Sequence, residues 1–375
     1  VFKYSGFFME NVNAVFGLEV EVKKLPLPIG ISFYTFQSIS YLVDIYRRVC
    51  PPQKSLIKMG LFISFFPQLI AGPILKYYDI AAQIDNRKVS LPLFNQGAVR
   101  FLQGLAKKII IANIMAKTAD EIFALGINDI STPMAWIGIV AYTFQIYFDF
   151  SGYSDMAIGL GKMFGFHINE NFNYPYIATS IKDFWRRWHI SLSTWFKEYL
   201  YIPLGGNREG KFKTYRNLMI VFFMTGLWHG ASWNFVVWGL FHGVFLVLER
   251  MLPIEKFLRF RLIQNIYALL VVMVGWVFFR AENLTAALDY LKRMFVPYKT
   301  DVYSAYLSNE FMMVAALGLV SCGFLTLIFD KLPVKTEYKF GFLRLVNPAW
   351  CAVIAYFSVL LLASNTYNPF IYFRF

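Results

Sequence analysis

The sequence predicts an all-α polytopic membrane protein folded as one domain over residues 1–375. Of these residues, 57% are hydrophobic and 16% are charged, whereas an ordinary soluble domain carries about 25% charged residues. Several apolar runs also approach the ~20 residues that a helix needs to cross a bilayer. A soluble core of this length cannot hide so much apolar surface, so we expect a lipid bilayer as its surroundings.

Basic residues collect at the ends of the apolar runs. The formal net charge is +13, and the segment 207–217 alone carries Arg208, Lys211, Lys213 and Arg216 against one acidic residue. This distribution is typical of cytoplasmic loops in multi-pass proteins, so we predict that 207–217 is cytoplasmic. A nucleic-acid-binding protein would gather such charges on one soluble face, and no nucleic-acid partner is expected.

Proline, glycine and charge divide the first half of the chain into unequal segments. Pro67, Gly72 and Pro73 predict a broken or re-entrant helix, which is tolerated at membrane depth only inside protein or beside a cavity. In 183–201, aromatic residues mix with charged ones, which predicts an amphipathic interfacial helix. The expected elements are a Pro-broken start and helix at 25–46, the broken helix at 56–75, a spanning or interfacial helix at 94–115, a span at 133–150, a shorter helix at 153–166 and the interfacial helix at 183–201.

The second half contains an apolar block that is too long for one span. A helix over 217–248 would be about 48 Å long at ~1.5 Å per residue, against a hydrocarbon core of ~30 Å. The block must therefore break, and Gly226, Gly230 and the Ser-Trp-Asn of 232–234 mark the expected place. Further spans are expected at 263–279, 311–329 and 349–363, for roughly eight to ten membrane helices in all.

An ionisable histidine lies at this expected break. His229 follows Arg216 by 13 residues, about 20 Å along a helix, so we expect it near mid-bilayer. Intramembrane ionisable residues are functional candidates because their desolvation is costly, and a neutral imidazole can act as a general base. Trp228 and Trp233 could form the walls of such a site. The structural alternative is a packing histidine bonded to a neighbouring carbonyl.

A second histidine lies among charged and aromatic residues in 183–201. On a helix, His189 would share a face with Trp185. Arg186 and Arg187 could hold a phosphate or carboxylate ligand beside it. An interfacial histidine on a basic amphipathic helix is an equally good interpretation of the same pattern.

Four other polar residues are interpreted as structural. His242 lies beside glycines that suit close helix packing, and His167 lies in a loop. Asp149 and Asp155 are six residues apart in the sequence, so they do not share a helix face. We expect them to cap a helix or form ion pairs rather than to act together in acid–base chemistry.

The cysteines and the first residues of the chain add two expectations. Cys50, Cys322 and Cys351 show no metal-binding or redox spacing, and neither a metal nor a permanently bound cofactor is predicted. The chain begins at Val1, and its first residues look like the end of a helix already under way. We therefore expect further helices to precede this sequence.

Several long stretches together resemble one family. FWRRWHISLSTWFKEYLYIPLGGNR at 184–208 and TGLWHGASWNFVVWGLFHG at 225–243 are similar to the membrane-bound O-acyltransferases. The likeness is greatest to the bacterial branch that acetylates alginate, other exopolysaccharides or peptidoglycan. Further matches to this branch, which extend the resemblance over nearly the whole chain, are LPLPIGISFYTFQSISYLVDIYRR at 25–48, FFPQLIAGPI at 65–74, IYFDFSGYSDMAIGLGKMFGF at 146–166 and FIYFRF at 370–375.

The resemblance implies a fold, a donor and a location. The family fold is a ring of tilted transmembrane helices around a central funnel, with interfacial and re-entrant helices. Acetyl-CoA or another acetyl thioester is expected to enter from the cytoplasm, while the acceptor reaches the opposite side. The implied location is the bacterial inner membrane, crossed several times.

The resemblance also implies a site. The family has two signature histidines, one after a WRRW pattern and one in a WHG pattern, and these fall on His189 and His229. The implied general base is His229, with His189 in support. The developing oxyanion could be met by backbone N–H groups near Gly230, by Asn234 or by His189. The residues expected to contact substrate are Trp228, Asn234, Arg186, Arg187 and Trp185.

The implied partner is an extracytoplasmic protein of the SGNH-hydrolase-like type that completes transfer to a polysaccharide acceptor. Two alternatives remain open. Within the same family, the chain could transfer D-alanine to teichoic acid from a carrier protein, although IPLGGNR at 202–208 favours the acetyl branch. In a different class, broken helices and a buried histidine would also suit a proton-coupled transporter or flippase, but no repeat symmetry is visible in the sequence.

Overall fold

Helices joined by short irregular segments make up the described part of the computed structural model, which comprises residues 2–21, 26–299, 303–325 and 348–364. The helices of the first half are α1 (Ser5–Phe16), α2 (Ile31–Tyr46), α3 (Leu56–Ile63), α4 (Tyr77–Asn86), α5 (Leu91–Ala106), a π-helical segment (Lys107–Ala112), α6 (Asn113–Phe123) and α7 (Thr132–Met163). Those of the second half are α8 (Ile181–Arg187), α9 (Ile190–Phe196), a π-helical segment (Lys197–Tyr201), α10 (Lys211–His229), α11 (Trp233–Met251), α12 (Ile254–Phe257), α13 (Arg261–Arg280), α14 (Leu284–Phe295), α15 (Asn309–Ser321) and α16 (Pro348–Ser364). No strand occurs in these ranges, which confirms the all-α class.

The helices α5 and α7 pack against each other as a close antiparallel pair. Gly97 faces Gly159, and Gly104 faces Gly152, so residue numbers rise along one helix as they fall along the other. A Cβ atom at either Gly97 or Gly104 would lie 2.5 Å from the carbonyl oxygen of the facing glycine. Small residues at these two levels therefore let the backbones approach each other closely.

Ion pairs join α7 to α5 and to the π-helical segment that follows α5. Arg100 and Lys107 both bind Asp155, at 2.6 and 2.7 Å, and Lys108 binds Asp149 at 2.5 Å. Both aspartates are buried, and a buried carboxylate is tolerated when it is paired and hydrogen-bonded. The predicted ion pairing of Asp149 and Asp155 is thus confirmed.

The prediction of two helices at 133–150 and 153–166 is wrong. One helix, α7, runs without interruption from Thr132 to Met163. Gly152 lies between the two predicted helices, and its missing side chain allows the close contact with α5. Tertiary packing outweighs the weak helix propensity of glycine here.

The prediction of one amphipathic helix over 183–201 is also wrong. α8 ends at Arg187, and α9 begins at Ile190. Between them His189 adopts φ 44°, a left-handed conformation that ends a helix and is uncommon for residues other than glycine. His189 therefore does not share a helical face with Trp185, as the sequence had suggested.

The other predicted breaks are confirmed. α2 begins after the prolines, at Ile31, and the turns and extended backbone of 64–76 follow the end of α3. In the apolar block, α10 ends at His229 and α11 begins at Trp233. Gly226 does not break α10, because it packs against α11, where an added Cβ would lie 2.3 Å from the carbonyl oxygen of Phe235.

Two helices in the described ranges are long and apolar enough to cross a membrane by themselves, α11 and α13. The stretches Asn309–Ser321 and Trp350–Ser364 are apolar but shorter. The predicted helix at 94–115 lies within the run formed by α5, the first π-helical segment and α6. The end of the predicted span 311–329 and the stretch FIYFRF lie outside the described residues. The total of eight to ten membrane helices stays a prediction.

The glycine contacts between α5 and α7 can be tested with matched substitutions. We expect Gly104→Ala to lower the free energy of unfolding by about 1–3 kcal/mol, the usual cost of overpacking. The control is Gly60→Ala in α3, where an added Cβ meets nothing within 4 Å and helix propensity favours alanine by roughly 0.5–1 kcal/mol. Thermal unfolding in detergent measures both variants. A melting temperature for Gly104→Ala as high as that of the control would contradict the proposed close approach.

The predicted cytoplasmic position of 207–217 can be tested by cysteine labelling. Asn207 is exposed, whereas Gly210 has φ 91° and would strain any side chain placed there. With the native cysteines replaced, Asn207→Cys should resist a membrane-impermeant thiol reagent in intact cells and react after lysis. Labelling in intact cells would contradict the prediction and would place 207–217 on the extracytoplasmic side.

Candidate active site

The break between α10 and α11 places a histidine at the end of a helix. His229 is the last residue of α10 and is 6% exposed. Gly230 follows with extended backbone, and a Cβ atom there would lie 2.1 Å from the Phe235 ring, so glycine is needed for the chain to turn. The rings around the imidazole, with centroids 4.8, 4.9 and 5.1 Å away, are Trp228, Trp238 and Phe279.

His229 lines a cavity of about 180 Å³. Residues 27–33, from the irregular segment before α2 and its first turn, form much of the wall. Ile70, Trp228 and Lys3 complete it. The cavity is thus mostly apolar, with an imidazole and an ammonium group in its wall, and its volume suits a small acyl group rather than a sugar chain.

His189 is held in the interior by the loop that follows α7. Its side chain is fully buried, and its ring lies 4.7 Å from the ring of Phe150, edge to face. The backbone N–H of Ile190 donates to the carbonyl oxygen of Asn171 at 2.9 Å. This bond satisfies a backbone group that the break between α8 and α9 would otherwise leave unpaired.

Asn171 also binds the imidazole of His189. Its Oδ1 atom lies 3.2 Å from His189 Nδ1 and accepts from both the backbone N–H and the hydroxyl of Ser191, at 3.2 and 2.9 Å. On its other side, Asn171 Nδ2 donates to Ser154 Oγ at 3.3 Å. Asn171 is itself fully buried, so its amide is a fixed part of the interior.

This network determines the tautomer of His189. The backbone N–H of Ser191 can only donate, so the Asn171 atom facing it must be the oxygen. That oxygen in turn requires a proton on His189 Nδ1. In the neutral ring Nε2 then carries the lone pair, and within the described residues Nε2 has no hydrogen-bond partner. His189 is therefore prepared to accept a hydrogen bond or a proton through Nε2.

Trp228 lies between the two histidines. Its ring centroid is 6.0 Å from that of His189 and 4.8 Å from that of His229. Phe33 and Phe36 of α2 pack against the same indole, each at 5.5 Å. The structure thus brings His189, Trp228 and His229 into one site, although 40 residues separate the two histidines in the sequence.

Three residues that were predicted to contact substrate have other partners or lie elsewhere. Arg187 binds Asp183 at 2.9 Å and donates to the carbonyl oxygen of Asn173, so it braces α8 against the preceding loop. Arg186 is exposed. Trp185 contacts His242 at 5.2 Å rather than lying beside His189 on one helical face.

The side chains of Asn234 and Trp233 form hydrogen bonds with other parts of the protein. Asn234 Nδ2 donates to the carbonyl oxygens of Phe278 and Ala281, at 3.3 and 2.8 Å. Both amide protons are therefore engaged in holding α11 to the end of α13, which does not favour Asn234 as an oxyanion donor. Trp233 is 55% exposed and donates to Asn11 Oδ1 at 2.9 Å, so it does not form the expected wall of the cavity.

His242 lies in an aromatic cage beyond Trp238. Its ring packs edge to face against Trp238 at 5.3 Å, and its Nε2 lies 2.7 Å from the place where a Cβ at Gly275 would be. Neither ring nitrogen has a hydrogen-bond partner within the described residues. His242 therefore faces protein, as predicted, but among the described residues its ring is held by packing contacts and not by hydrogen bonds. His167 is an exposed loop residue.

Sequence reasoning missed two polar residues at this site, Asn171 and Lys3. Asn171 lies in GFHINENFNYPY, which was interpreted only as a loop, and the sequence signal was three asparagines in a stretch rich in aromatic residues. Lys3 reaches the site from the start of the chain, with no local signal at all. In the described ranges, no group of three or more His, Cys, Asp or Glu side chains is arranged to hold a metal ion.

Comparison with known proteins gives this geometry a context. The family model for "MBOAT, membrane-bound O-acyltransferase family" matches residues 51–285, more than half of the chain and including both site histidines. The match therefore covers the break, the site loop and the helices that hold them.

Three curated relatives show the range of the likeness. The chain is 43% identical to the probable alginate O-acetylase AlgI of Pseudomonas putida, over 100% of this chain and 81% of that protein. It is 42% identical to the peptidoglycan O-acetyltransferase of Helicobacter pylori, over 78% of this chain and 61% of that protein. It is 30% identical to the teichoic acid D-alanyltransferase of Streptococcus thermophilus, over 59% of this chain and 56% of that protein. The chain belongs to the membrane-bound O-acyltransferase family.

Proposed function

We propose that this acyltransferase moves an acetyl group from a thioester donor through the membrane for O-acetylation of an extracytoplasmic polysaccharide. The observation that carries the proposal is the small cavity at the broken helix, lined by His229 and Trp228, with the His189 ring 6.0 Å from the Trp228 indole. A cavity of this size at a helix break suits an acetyl group, with its carrier and its acceptor approaching from different directions.

In the proposed reaction, the acceptor hydroxyl oxygen attacks the thioester carbonyl carbon. His229 takes the hydroxyl proton as the new C–O bond forms, a contribution of about 10²–10⁴ in rate for general-base catalysis. The tetrahedral intermediate then collapses, the C–S bond breaks and the thiolate receives the proton from His229. The products are an acetyl ester and a free thiol.

The negative charge on the intermediate needs donors, and the geometry favours the backbone. The first N–H groups of a helix have no partner within it, and the positive end of the helix dipole favours negative charge. α11 begins at Trp233, directly after the turn that follows His229. His189 presents a lone pair in its neutral form and is thus better suited to accept a hydrogen bond from a substrate N–H or O–H group.

The proposed route follows from charge and resemblance. The basic segment 207–217 supports a cytoplasmic side from which acetyl-CoA or another acetyl thioester enters. We propose that an SGNH-hydrolase-like protein on the opposite side receives the acetyl group and completes its transfer to alginate, another exopolysaccharide or peptidoglycan. The higher identity to O-acetyl transferring relatives than to the D-alanyl transferring one supports acetyl over D-alanyl. Membership in an acyltransferase family makes a transporter or flippase the weaker alternative.

The proposal can be tested with radiolabelled acetyl-CoA and membranes that contain the protein, its partner and the polysaccharide. We expect label in ester linkage to the polysaccharide, released by mild base. Label that crosses the membrane only as an intact solute would instead indicate transport, and transfer of labelled D-alanine would indicate the alternative acyl group.

The roles of His229 and His242 can be separated by alanine substitution. We expect His229→Ala to lower acetyl transfer per folded protein at least about 100-fold, together with a lower melting temperature, because the imidazole packs among three aromatic rings. We expect His242→Ala to lower the free energy of unfolding by about 2–4 kcal/mol, since it empties a packed cage.

The matched control for this pair is His242→Leu, which keeps apolar volume in a cage that offers the imidazole no hydrogen bond, and should retain activity. The measurement is acetylated product per folded protein, with thermal unfolding followed in detergent. Full activity in His229→Ala, or a folded but inactive His242→Leu, would mean that the base has been assigned to the wrong histidine.

The acceptor role of His189 Nε2 can be tested with two substitutions at that position. His189→Gln keeps a hydrogen-bond acceptor, so we expect a loss of about tenfold in acetyl transfer, and His189→Leu should cost more because no acceptor remains. Equal and complete loss in both variants, in protein that is folded and membrane-inserted, would show that His189 itself carries a proton during the reaction.

A further inference from the structure

The C-terminal end of α10 is capped by side chains from the start of the chain. The last four carbonyl groups of a helix have no partner within it, and in an apolar interior an unpaired carbonyl costs several kcal/mol. The Tyr4 hydroxyl donates to the carbonyl oxygen of Leu227 at 3.0 Å. Lys3 Nζ donates to the carbonyl oxygens of Trp228 and His229, at 2.5 and 3.0 Å. Three successive carbonyl groups are thus satisfied by two consecutive residues.

The ammonium group of Lys3 makes three bonds. Besides the two carbonyl groups it donates to Ser32 Oγ, at the start of α2, at 3.3 Å. An ammonium has three protons to donate, so the interactions match its capacity. Its positive charge also lies at the negative end of the α10 dipole, where a cation is favoured. Lys3 therefore fixes the end of α10 to the beginning of α2.

The rest of the N-terminal segment braces the other side of the same break. Phe7 packs edge to face against Trp233 at 5.6 Å, and Asn11 accepts from the Trp233 indole N–H. Trp233 is the first residue of α11. Residues 3–11 therefore contact both helix ends that flank 230–232, one on each side of the turn after His229.

Lys3 is also a wall residue of the cavity that His229 lines. Its ammonium lies 6.0 Å from the centroid of the Trp228 ring. Lys3 is partly buried, and a cation at such a position is costly unless it is paired and hydrogen-bonded. The three acceptors described above compensate for that cost.

Building on the proposed function, we propose that Lys3 is a positioning residue for the catalytic base. By holding the carbonyl groups of Trp228 and His229, it fixes the last turn of α10 and so keeps the His229 imidazole at the cavity wall. Its charge also favours the negative charge that develops in the cavity as the thioester carbonyl is attacked. Tyr4 supports the same turn through Leu227 and carries no charge.

The inference predicts a loss of turnover rather than of donor binding. We expect Lys3→Met to lower kcat about 10- to 100-fold, the scale of a misplaced catalytic group, with KM for acetyl-CoA within about twofold. Lys3→Arg, which keeps the charge and several donors, should recover most of the activity. Tyr4→Phe should have a smaller effect, because it removes one neutral hydrogen bond.

The control for removal of a lysine charge is Lys58→Met, since Lys58 forms an exposed ion pair with Asp85 outside the site. It should retain wild-type kcat. All variants are compared per folded, membrane-inserted protein, with thermal unfolding measured in parallel. A merely structural role for Lys3 would lower the melting temperature without changing the kcat of the folded fraction.

The measured kcat values of these variants decide the inference. Wild-type kcat in folded Lys3→Met overturns it. If Lys3→Met does not fold, Lys3→Arg decides, because near wild-type kcat supports the inference and a folded but inactive protein overturns it. His229→Ala, assayed alongside, separates the two levels: activity in that variant refutes the proposed function, whereas its loss together with full activity in Lys3→Met refutes only the role of Lys3.

Discussion

Backbone groups that leave a helix inside an apolar interior must find hydrogen-bond partners, and the candidate site depends on how this protein supplies them. Its helices break at 64–76, at 188–189 and at 230–232. Each break is paired by a distant side chain or backbone group. Ser191 Oγ accepts from Ile74, Asn171 accepts from Ile190, and Lys3 donates to the end of α10. The groups that satisfy the breaks are the same groups that hold the two histidines.

The paired helices α5 and α7 give these breaks a rigid support. Glycines permit close backbone contact. One arginine and two lysines neutralise the two buried aspartates on α7. Ser154, which receives the Asn171 amide, lies on α7 itself. The orientation of His189 is therefore fixed to α7 through Asn171, an arrangement that suits a side chain that must stay in place.

Sequence patterns predicted the helical class, the break at His229 and the ion pairing of Asp149 and Asp155, because helix length, glycine position and buried charge are local constraints. They did not predict the continuity of α7, because a glycine used for packing and a glycine used for a break look alike in one sequence. The left-handed backbone of His189 left no pattern either. Asn171 and Lys3 were missed because their contacts are distant in sequence. Asn171 contacts His189, 18 residues away, and Lys3 contacts Trp228, more than 220 residues away. Helical periodicity gives no information about contacts at such separations.

The separation of Lys3 from His229 bears on how the protein is made. A chain emerges from the ribosome in order, and its early segments generally form structure first. Lys3 and Tyr4, which cap α10, are synthesised more than 200 positions before the end of that helix. Their hydrogen bonds to its carbonyl groups can therefore form only after the α10–α11 hairpin has been made. An incomplete chain that lacks this hairpin lacks both the cavity and His229. The candidate site is thus completed late in biogenesis, when the two distant parts of the polypeptide meet.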